Sequence, residues 1–189
     1  MTGAPRRSRL FWLPNALTVG RLAALPVLVW ALWRADGPTN AFAAWLFAGI
    51  GITDLLDGWL ARRLDAETTF GRLADPFADR MVVAVGLIGL ITLGRFAPWG
   101  PLVILGRDLL TVVAVVALRN SGLDVRVDLL GKASSALVMA ATALALLSTA
   151  TWITVLFWVA VALSIAAFAN YVRTAARAWR SRDAGGARG

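Results

Sequence analysis

The sequence predicts an all-α integral membrane protein with six transmembrane helices and an N-terminal amphipathic segment. The 189 residues are 59% hydrophobic, and their mean hydropathy of +0.70 is far above that of a typical soluble domain. Six apolar segments are long enough to cross a bilayer, which takes about 20 residues of helix. The Lys and Arg residues are also distributed unevenly between the connections that join these segments.

The six apolar segments are continuous, which indicates helices rather than the short alternating strands of a membrane barrel. They cover residues 17–33, 41–63, 71–93, 101–119, 131–149 and 153–173. Polar or helix-breaking residues separate them, as in the connections ADGPTN and GRFAPWGP. We therefore expect an interfacial N-terminal segment (1–16), a six-helix domain (17–173) and a basic cytoplasmic tail (174–189).

The basic residues predict the orientation of the chain. If both termini are cytoplasmic, fifteen of the 19 Lys and Arg residues lie on that side, and only Arg34 and Arg95 lie on the other. In a chain this apolar, the net charge of +8 indicates contact with anionic membrane lipids and not with nucleic acid. The sequence thus predicts a multi-pass protein of the cell membrane.

The chain contains neither cysteine nor histidine. Disulfides, thiolate metal sites, His-ligated zinc and histidine general bases are therefore excluded. Any metal or acid–base chemistry must use carboxylates.

Four aspartates lie inside the second and third predicted spans, at Asp54, Asp57, Asp75 and Asp79. Ionised carboxylates at membrane depth are costly and usually mark function. At 1.5 Å per residue all four lie about 6–14 Å from the cytoplasmic ends of their spans, and spacings of three and four put each pair on one helix face. Carboxylates so placed repel one another unless cations neutralise them. Oxygen-only ligands suit Mg²⁺ or Mn²⁺.

The aspartates belong to a longer pattern. The stretches DLLDGWLAR at 54–62 and GRLADPFAD at 71–79 match DxxDGxxAR-x8-GxxxDxxxD at every fixed position. This pattern resembles the signature of the CDP-alcohol phosphotransferases, which are membrane enzymes of phospholipid biosynthesis. The resemblance implies transfer of a phosphatidyl group from CDP-diacylglycerol to an alcohol, with release of CMP, by a homodimer.

The resemblance also implies a role for each matched residue. Two divalent ions, Mg²⁺ or Mn²⁺, would be held by Asp54, Asp57, Asp75 and Asp79. Asp79 would also be the general base, and Arg62 would lie near the diphosphate of the nucleotide. The CDP site would be shaped by Gly58, Ala61, Arg62 and Gly71. Thr68, between the two halves of the motif, is a further candidate for nucleotide contact.

Three basic residues in other spans are candidates for acceptor binding: Arg21, Arg107 and Lys132. An unpaired arginine at membrane depth is costly, so each should meet an anion. Asp108 follows Arg107 directly and points about 100° around the helix, which predicts that it is a poor partner for Arg107. The expected anion is therefore a phosphate group of the acceptor.

Two compounds are candidates for the acceptor. The chain is similar to bacterial phosphatidylglycerophosphate synthases, whose acceptor is glycerol 3-phosphate, and this acceptor is preferred. However, Arg107-Asp108 and the stretch Gly131-Lys132-Ala-Ser134-Ser135 are closer to the cardiolipin synthases of the same family, whose acceptor is phosphatidylglycerol. A cation transporter with intramembrane carboxylates is the alternative from another class. The clustering of the aspartates near one side argues against a path across the membrane.

Overall fold

The computed structural model describes the backbone of residues 13–64, 69–121 and 129–186, and the side chains of residues 20–53, 80–118, 121 and 129–180. Throughout these residues the chain is all-helical, as predicted. The helices are α1 (Leu13–Trp33), α2 (Ala41–Leu64), α3 (Thr69–Thr92), α4 (Trp99–Asn120), α5 (Leu129–Leu147) and α6 (Thr151–Gly186). Each of the six predicted spans corresponds to one of them.

Two helices extend beyond the predicted spans. Helix α1 begins at Leu13 rather than at residue 17, with Pro14 in its first turn, where a missing N–H costs no helical hydrogen bond. Helix α6 continues through residue 173 to Gly186, so most of the predicted basic tail prolongs the helix. The apolar pattern ends near residue 173, but the polar residues that follow include no helix breaker before the glycines at 185 and 186.

Over the residues whose side chains are described, three helices are long and apolar enough to cross a membrane: Trp99–Leu118, Leu129–Leu147 and Thr151–Arg180. Within the residues whose side chains are described, the other three helices contribute shorter apolar stretches, at Gly20–Trp33, Ala41–Thr53 and Arg80–Thr92. Large apolar side chains are exposed on the outside of the bundle, as in Leu109 at 65% and Val113 at 57%. A surface of this kind indicates a membrane protein.

The six helices pack in a ring in the order α1, α2, α5, α6, α4 and α3, with α3 returning to α1. Helix α3 also contacts α2 and α5, so it lies toward the inside of the ring. The core between these helices is built from buried side chains such as Leu28, Phe47, Leu87, Val138 and Phe157. Burial of these side chains against one another fixes the position of α3 relative to the helices that surround it.

The helices pack closely where α3 meets α2 and α5. A Cβ atom added to Gly86 of α3 would collide with the ring of Phe47 on α2, and it would lie 3.0 Å from Cγ2 of Thr142 on α5. Phe47 and Thr142 are both fully buried. Since neither side chain has space to move, the missing side chain at Gly86 is what lets the three helices meet.

We expect Gly86→Val to destabilise the protein by about 2 kcal/mol, since inserting carbon atoms into a packed core typically costs 1–3 kcal/mol. Thermal unfolding of the purified protein in detergent measures the effect. Gly106→Val is the matched control, because no atom lies within 4 Å of a Cβ at Gly106. Equal unfolding temperatures for the two variants would contradict the close packing at Gly86.

Asn40 anchors the connection between α1 and α2. Its Oδ1 accepts a hydrogen bond of 2.9 Å from the backbone N–H of Ala43 and so caps α2. Its Nδ2 donates to the carbonyl of Ala31 in α1 at 3.0 Å, and its backbone N–H donates to the carbonyl of Leu146 in α5 at 2.8 Å. The last turns of α1 and α5 and the first turn of α2 therefore lie together.

The connection between α3 and α4 lies at this same end of the bundle. Gly94 ends α3 with a φ of 63°, a conformation that favours glycine. Next to it, Nη2 of Arg95 donates a hydrogen bond of 3.1 Å to Oγ1 of Thr154 in α6, and Phe96 stacks on Phe157 with ring centroids 4.0 Å apart. We call this the hairpin end, defined by the connections 34–40, 93–98 and 148–150. The second half of α2 and the first half of α3 lead to the opposite end, which we call the motif end.

Candidate active site

The motif aspartates lie on two helices that contact each other. Asp54 and Asp57 lie in the second half of α2, and Asp75 and Asp79 lie in the first half of α3. The side chains of these aspartates lie outside the described residues, and so do those of Gly58, Ala61, Arg62 and Gly71. Thr68 belongs to the segment 65–68, which also lies outside the described residues.

The contact between Phe47 and Gly86 gives the register of α2 relative to α3. Asp54 follows Phe47 by seven residues, and Asp79 precedes Gly86 by seven residues. At 1.5 Å per residue, both backbone positions are about 10 Å from the contact in the direction of the motif end. Asp57 and Asp75 lie about one turn further on. The two helix segments that carry the predicted metal ligands are therefore at the same depth in the bundle.

A cavity of about 630 Å³ lies beside these two helix segments, between α2, α3, α4 and α5. Its wall on α2 includes Gly51 and Ile52, within one turn of Asp54. Among the described side chains of α3, its wall includes Arg80, the residue directly after Asp79. On α5 it runs from Gly131 to Ala143. We call it the α5 cavity.

Among the described side chains, three charged ones line the α5 cavity: Arg80, Asp108 and Lys132. The rest of the wall is mostly apolar and includes Val83 and Met139. Lys132 forms no ion pair with any described residue, although Asp108 lines the same cavity. An ammonium and a carboxylate therefore face a common space without neutralising each other directly.

The prediction that Asp108 is a poor partner for Arg107 is wrong. Nη1 of Arg107 donates to Oδ1 of Asp108 at 2.7 Å, which makes an ion pair between adjacent residues. Nη2 of Arg107 donates to Oγ of Ser134 on α5 at 3.1 Å, and this hydroxyl donates to the carbonyl of Gly131 at 2.9 Å. The prediction considered only the directions in which the two side chains leave the helix, which differ by about 100°. The arginine side chain is long enough to fold back toward Asp108 and reach its carboxylate.

Arg21 lies apart from the α5 cavity. It is only 4% exposed, and it lines a second cavity of about 310 Å³ between α1 and α2, together with Trp45 and Thr53. Thr53 directly precedes Asp54, so this second cavity approaches the motif from another side. The three predicted acceptor residues are thus not brought together. Lys132 lines the α5 cavity, Arg107 forms an ion pair with Asp108 of its wall, and Arg21 lines the second cavity.

Sequence reasoning missed the presence of Arg80 and Asp108 in the cavity wall and the contact made by Ser134. In the sequence, Arg80 served only as one of the basic residues that predict the orientation of the chain. Its position directly after Asp79 is a signal that it lies beside the motif. Ser134 lies on the same α5 turn as Lys132, in the stretch Gly131-Lys132-Ala-Ser134. Neither signal identifies which helix faces that turn, since this depends on the packing of the bundle.

The candidates for metal binding are the four motif aspartates. Among the side chains that the structure describes, no group of three acidic residues is close enough to hold a metal ion. The donor set of the motif consists of carboxylates alone, because the chain has no cysteine or histidine. Such a set fits a hard divalent cation such as Mg²⁺ or Mn²⁺.

Comparison with known proteins agrees with these features. Residues 11–166 match the model of the CDP-alcohol phosphatidyltransferase family. The chain is 38% identical over 144 residues to a CMP-forming cardiolipin synthase of Streptomyces coelicolor, which covers 74% of the chain and 67% of that protein. It is 35% identical over 188 residues to the chloroplastic/mitochondrial CDP-diacylglycerol–glycerol-3-phosphate 3-phosphatidyltransferase 1 of Arabidopsis thaliana, covering 88% of the chain and 63% of that protein.

A third relative is the CDP-diacylglycerol–glycerol-3-phosphate 3-phosphatidyltransferase of Rickettsia bellii, which is 36% identical over 98 residues, or 52% of the chain and 54% of that protein. The chain thus spans about half to two thirds of the length of these relatives. The family match covers most of the chain, including all four motif aspartates and the walls of the α5 cavity. The chain therefore belongs to the CDP-alcohol phosphatidyltransferase family.

Proposed function

We propose that this protein transfers a phosphatidyl group from CDP-diacylglycerol to a phosphate-bearing alcohol, glycerol 3-phosphate, and releases CMP. The observation that carries the proposal is the α5 cavity. Its described wall includes Ile52 and Arg80, which are two residues before Asp54 and one residue after Asp79 in the chain, and it includes Lys132. A cavity with cationic groups beside the motif suits an acceptor that carries a phosphate. A neutral alcohol would leave the ammonium of Lys132 without an anion.

In the proposed reaction, the acceptor hydroxyl gives its proton to the carboxylate of Asp79 and its oxygen attacks the phosphorus of the phosphatidyl group. The bond between that phosphorus and the oxygen of the CMP phosphate breaks, and CMP leaves. Arg62 binds the diphosphate, since its guanidinium matches two phosphate oxygens at once. Gly58, Ala61, Gly71 and Thr68 shape the nucleotide site. Lys132 binds the acceptor phosphate.

Asp54, Asp57, Asp75 and Asp79 are the residues that would hold two divalent cations. Bound there, such ions neutralise the diphosphate oxygens and the charge that develops on the leaving group. The register set by the contact between Phe47 and Gly86 supports this role, because it puts both helix segments at one depth. Arg21 lines the second cavity together with Thr53, the residue directly before Asp54, so it approaches this cluster from the side of α1.

Phosphatidylglycerol is the second candidate acceptor, with cardiolipin as the product. The similarity to the cardiolipin synthase of Streptomyces coelicolor favours it. The pair Arg107–Asp108 favours it as well, because the sequence at these positions is closer to that group of enzymes.

An assay of CMP release tests the proposed function. Purified protein is incubated with CDP-diacylglycerol, Mg²⁺ or Mn²⁺, and one acceptor at a time: glycerol 3-phosphate, phosphatidylglycerol, inositol or serine. We expect CMP and one new lipid with glycerol 3-phosphate, identified by mass spectrometry. Cardiolipin formation from phosphatidylglycerol alone would select the second candidate. Turnover with inositol or serine would overturn the phosphate-bearing acceptor, and no CMP with any acceptor would overturn the activity.

We also propose that all six helices cross the membrane and that both termini are cytoplasmic. Because the chain has no cysteine, single-cysteine variants need no altered background. Ala66→Cys and Leu123→Cys should react with a membrane-impermeant maleimide only from the cytoplasmic side, and Gly37→Cys only from outside. A side chain at Gly37 meets no atom within 4 Å, so that variant should fold normally. Labelling at position 66 from outside would refute the orientation.

We propose that the protein is a homodimer and that residues 17–173 of each copy form the catalytic domain. Residues 1–16 lie at the membrane interface, and the basic segment 174–189 binds anionic lipid headgroups. The exposed apolar side chains of α4 offer a surface for a second copy. Mass photometry in detergent should give twice the chain mass of 20.1 kDa, after correction for detergent. A single-chain mass would contradict the dimer.

A further inference from the structure

The carboxylate of Asp108 in the wall of the α5 cavity has no role in the reaction described above. A carboxylate beside a bound phosphate ordinarily weakens phosphate binding by repulsion. Here Arg107 offsets that repulsion through the 2.7 Å ion pair with Oδ1. The guanidinium is itself held by Ser134 of α5. Arg107 on α4 and Ser134 on α5 therefore hold the Asp108 carboxylate in the cavity wall.

The second carboxylate oxygen of Asp108 is available to a ligand. Oδ1 accepts the hydrogen bond from Arg107, whereas Oδ2 has no hydrogen-bond partner among the described residues. The side chain is 24% exposed, and it faces the cavity that Lys132 also lines. An ionised carboxylate only accepts hydrogen bonds. Its ligand must therefore donate one, as a hydroxyl group does.

We propose that Asp108 determines acceptor specificity by accepting a hydrogen bond from the secondary hydroxyl of a glycerophosphoryl acceptor whose phosphate binds Lys132. This inference rests on the proposed function. A glycerophosphoryl group has a phosphate at one end, the reacting hydroxyl at the other, and a secondary hydroxyl between them. Lys132 binds the phosphate and Asp79 accepts the proton of the reacting hydroxyl. The secondary hydroxyl between them is then left for Asp108. Arg107 is then a positioning residue, which acts on the acceptor through Asp108.

Glycerol 3-phosphate and phosphatidylglycerol share this group, so the test has a soluble arm and a lipid arm. In the soluble arm, calorimetry compares the binding of glycerol 3-phosphate with that of 3-hydroxypropyl phosphate, which lacks the secondary hydroxyl. In the lipid arm, CMP release compares phosphatidylglycerol with phosphatidyl-1,3-propanediol in nanodiscs. Calorimetry in the soluble arm measures binding in the absence of turnover. Its result therefore tests the role of Asp108 independently of the proposed activity.

We expect the wild-type protein to favour the hydroxyl-bearing acceptor by about 10- to 100-fold in at least one arm, which is the usual contribution of a hydrogen bond to a charged group. Asp108→Ala and the more conservative Asp108→Asn should reduce this preference to about threefold or less. The ratio between the two acceptors is the readout, because loss of the negative charge of Asp108 strengthens the binding of the phosphate group that both acceptors share. Lys132→Gln should weaken both acceptors equally and keep the preference. Asp36→Asn, in the exposed connection of the hairpin end, makes the same chemical change as a control and should alter neither.

Three results would overturn the inference: no preference in either arm, a preference that persists in both Asp108 variants, or a preference that Lys132→Gln removes. Absence of CMP release together with a preference in calorimetry would refute the proposed activity and leave the assignment of Asp108 intact. Size-exclusion profiles of Asp108→Ala and Asp108→Asn show whether each variant is folded. Asp108→Asn, which keeps the size and shape of the side chain, decides the question if Asp108→Ala does not fold.

Discussion

EDTA will abolish the release of CMP from CDP-diacylglycerol by the purified protein, and Mg²⁺ or Mn²⁺ will restore it. Two unit charges of like sign 4 Å apart repel by about 4 kcal/mol at the effective dielectric of a protein surface. The four motif carboxylates and a diphosphate therefore cannot share one site without divalent cations. Loss of metal stabilisation of several kcal/mol corresponds to roughly a 1000-fold fall in rate.

The control for this experiment is EDTA that has been saturated with Mg²⁺ before addition, which should have no effect. The unfolding temperature of the protein is measured with and without chelator, so that loss of activity is not mistaken for loss of fold. Full turnover in excess chelator would show that the aspartates act without metal, and the proposed role of Asp54, Asp57, Asp75 and Asp79 would be wrong.

Asp79→Asn will lower the rate of transfer by roughly 100- to 10,000-fold, which is the usual contribution of a general base. Asparagine keeps the size of the side chain and one ligand oxygen, but it cannot take the proton of the acceptor hydroxyl. Binding of CDP-diacylglycerol should therefore suffer less in Asp79→Asn than in Asp57→Asn. Single-turnover CMP release measures the rate, and a fluorescent CDP-diacylglycerol analogue measures the affinity.

Asp36→Asn is the matched control for this variant too, because it makes the same chemical change in the connection between α1 and α2 at the hairpin end. Near-normal turnover by Asp79→Asn would show that another group takes the proton. Equal loss of rate and of CDP-diacylglycerol affinity would instead show that Asp79 acts as a metal ligand alone.

The helices were largely predictable because length and apolar composition determine them. Apolar runs of about 20 residues bounded by Gly, Pro and Asn leave few alternatives, and α2 through α5 begin and end within two residues of the predicted spans. The end of α6 was not predictable in this way. The predicted span ends where the apolar residues end. The helix itself continues through residues 174–186, because no residue there interrupts its backbone hydrogen bonds.

The sequence pointed to the motif and to Lys132, which lines the α5 cavity, but it did not predict how the side chains meet. Which residues line one cavity depends on the rotation of α4 and α5 about their axes, and a sequence pattern gives the faces of each helix separately. Arg107 illustrates this, since its partner Ser134 comes from a helix that is 27 residues away in the chain. Arg21 has the expected depth, but α1 packs beside α2 and so places it in a different cavity.

The missing side chain at Gly86 also has a mechanical consequence. The ring of Phe47 on α2 packs directly against the backbone of α3 there, and Asp54 and Asp79 lie about 10 Å further along the two helices. Any change in the angle between α2 and α3 at this contact would be carried to the aspartates over a lever arm of that length. A tilt of about 6° around it would move the ends of the lever by about 1 Å, and a misplacement of 1 Å can lower a rate by roughly 100-fold. A position that touches no substrate therefore sets how accurately the two halves of the motif face each other.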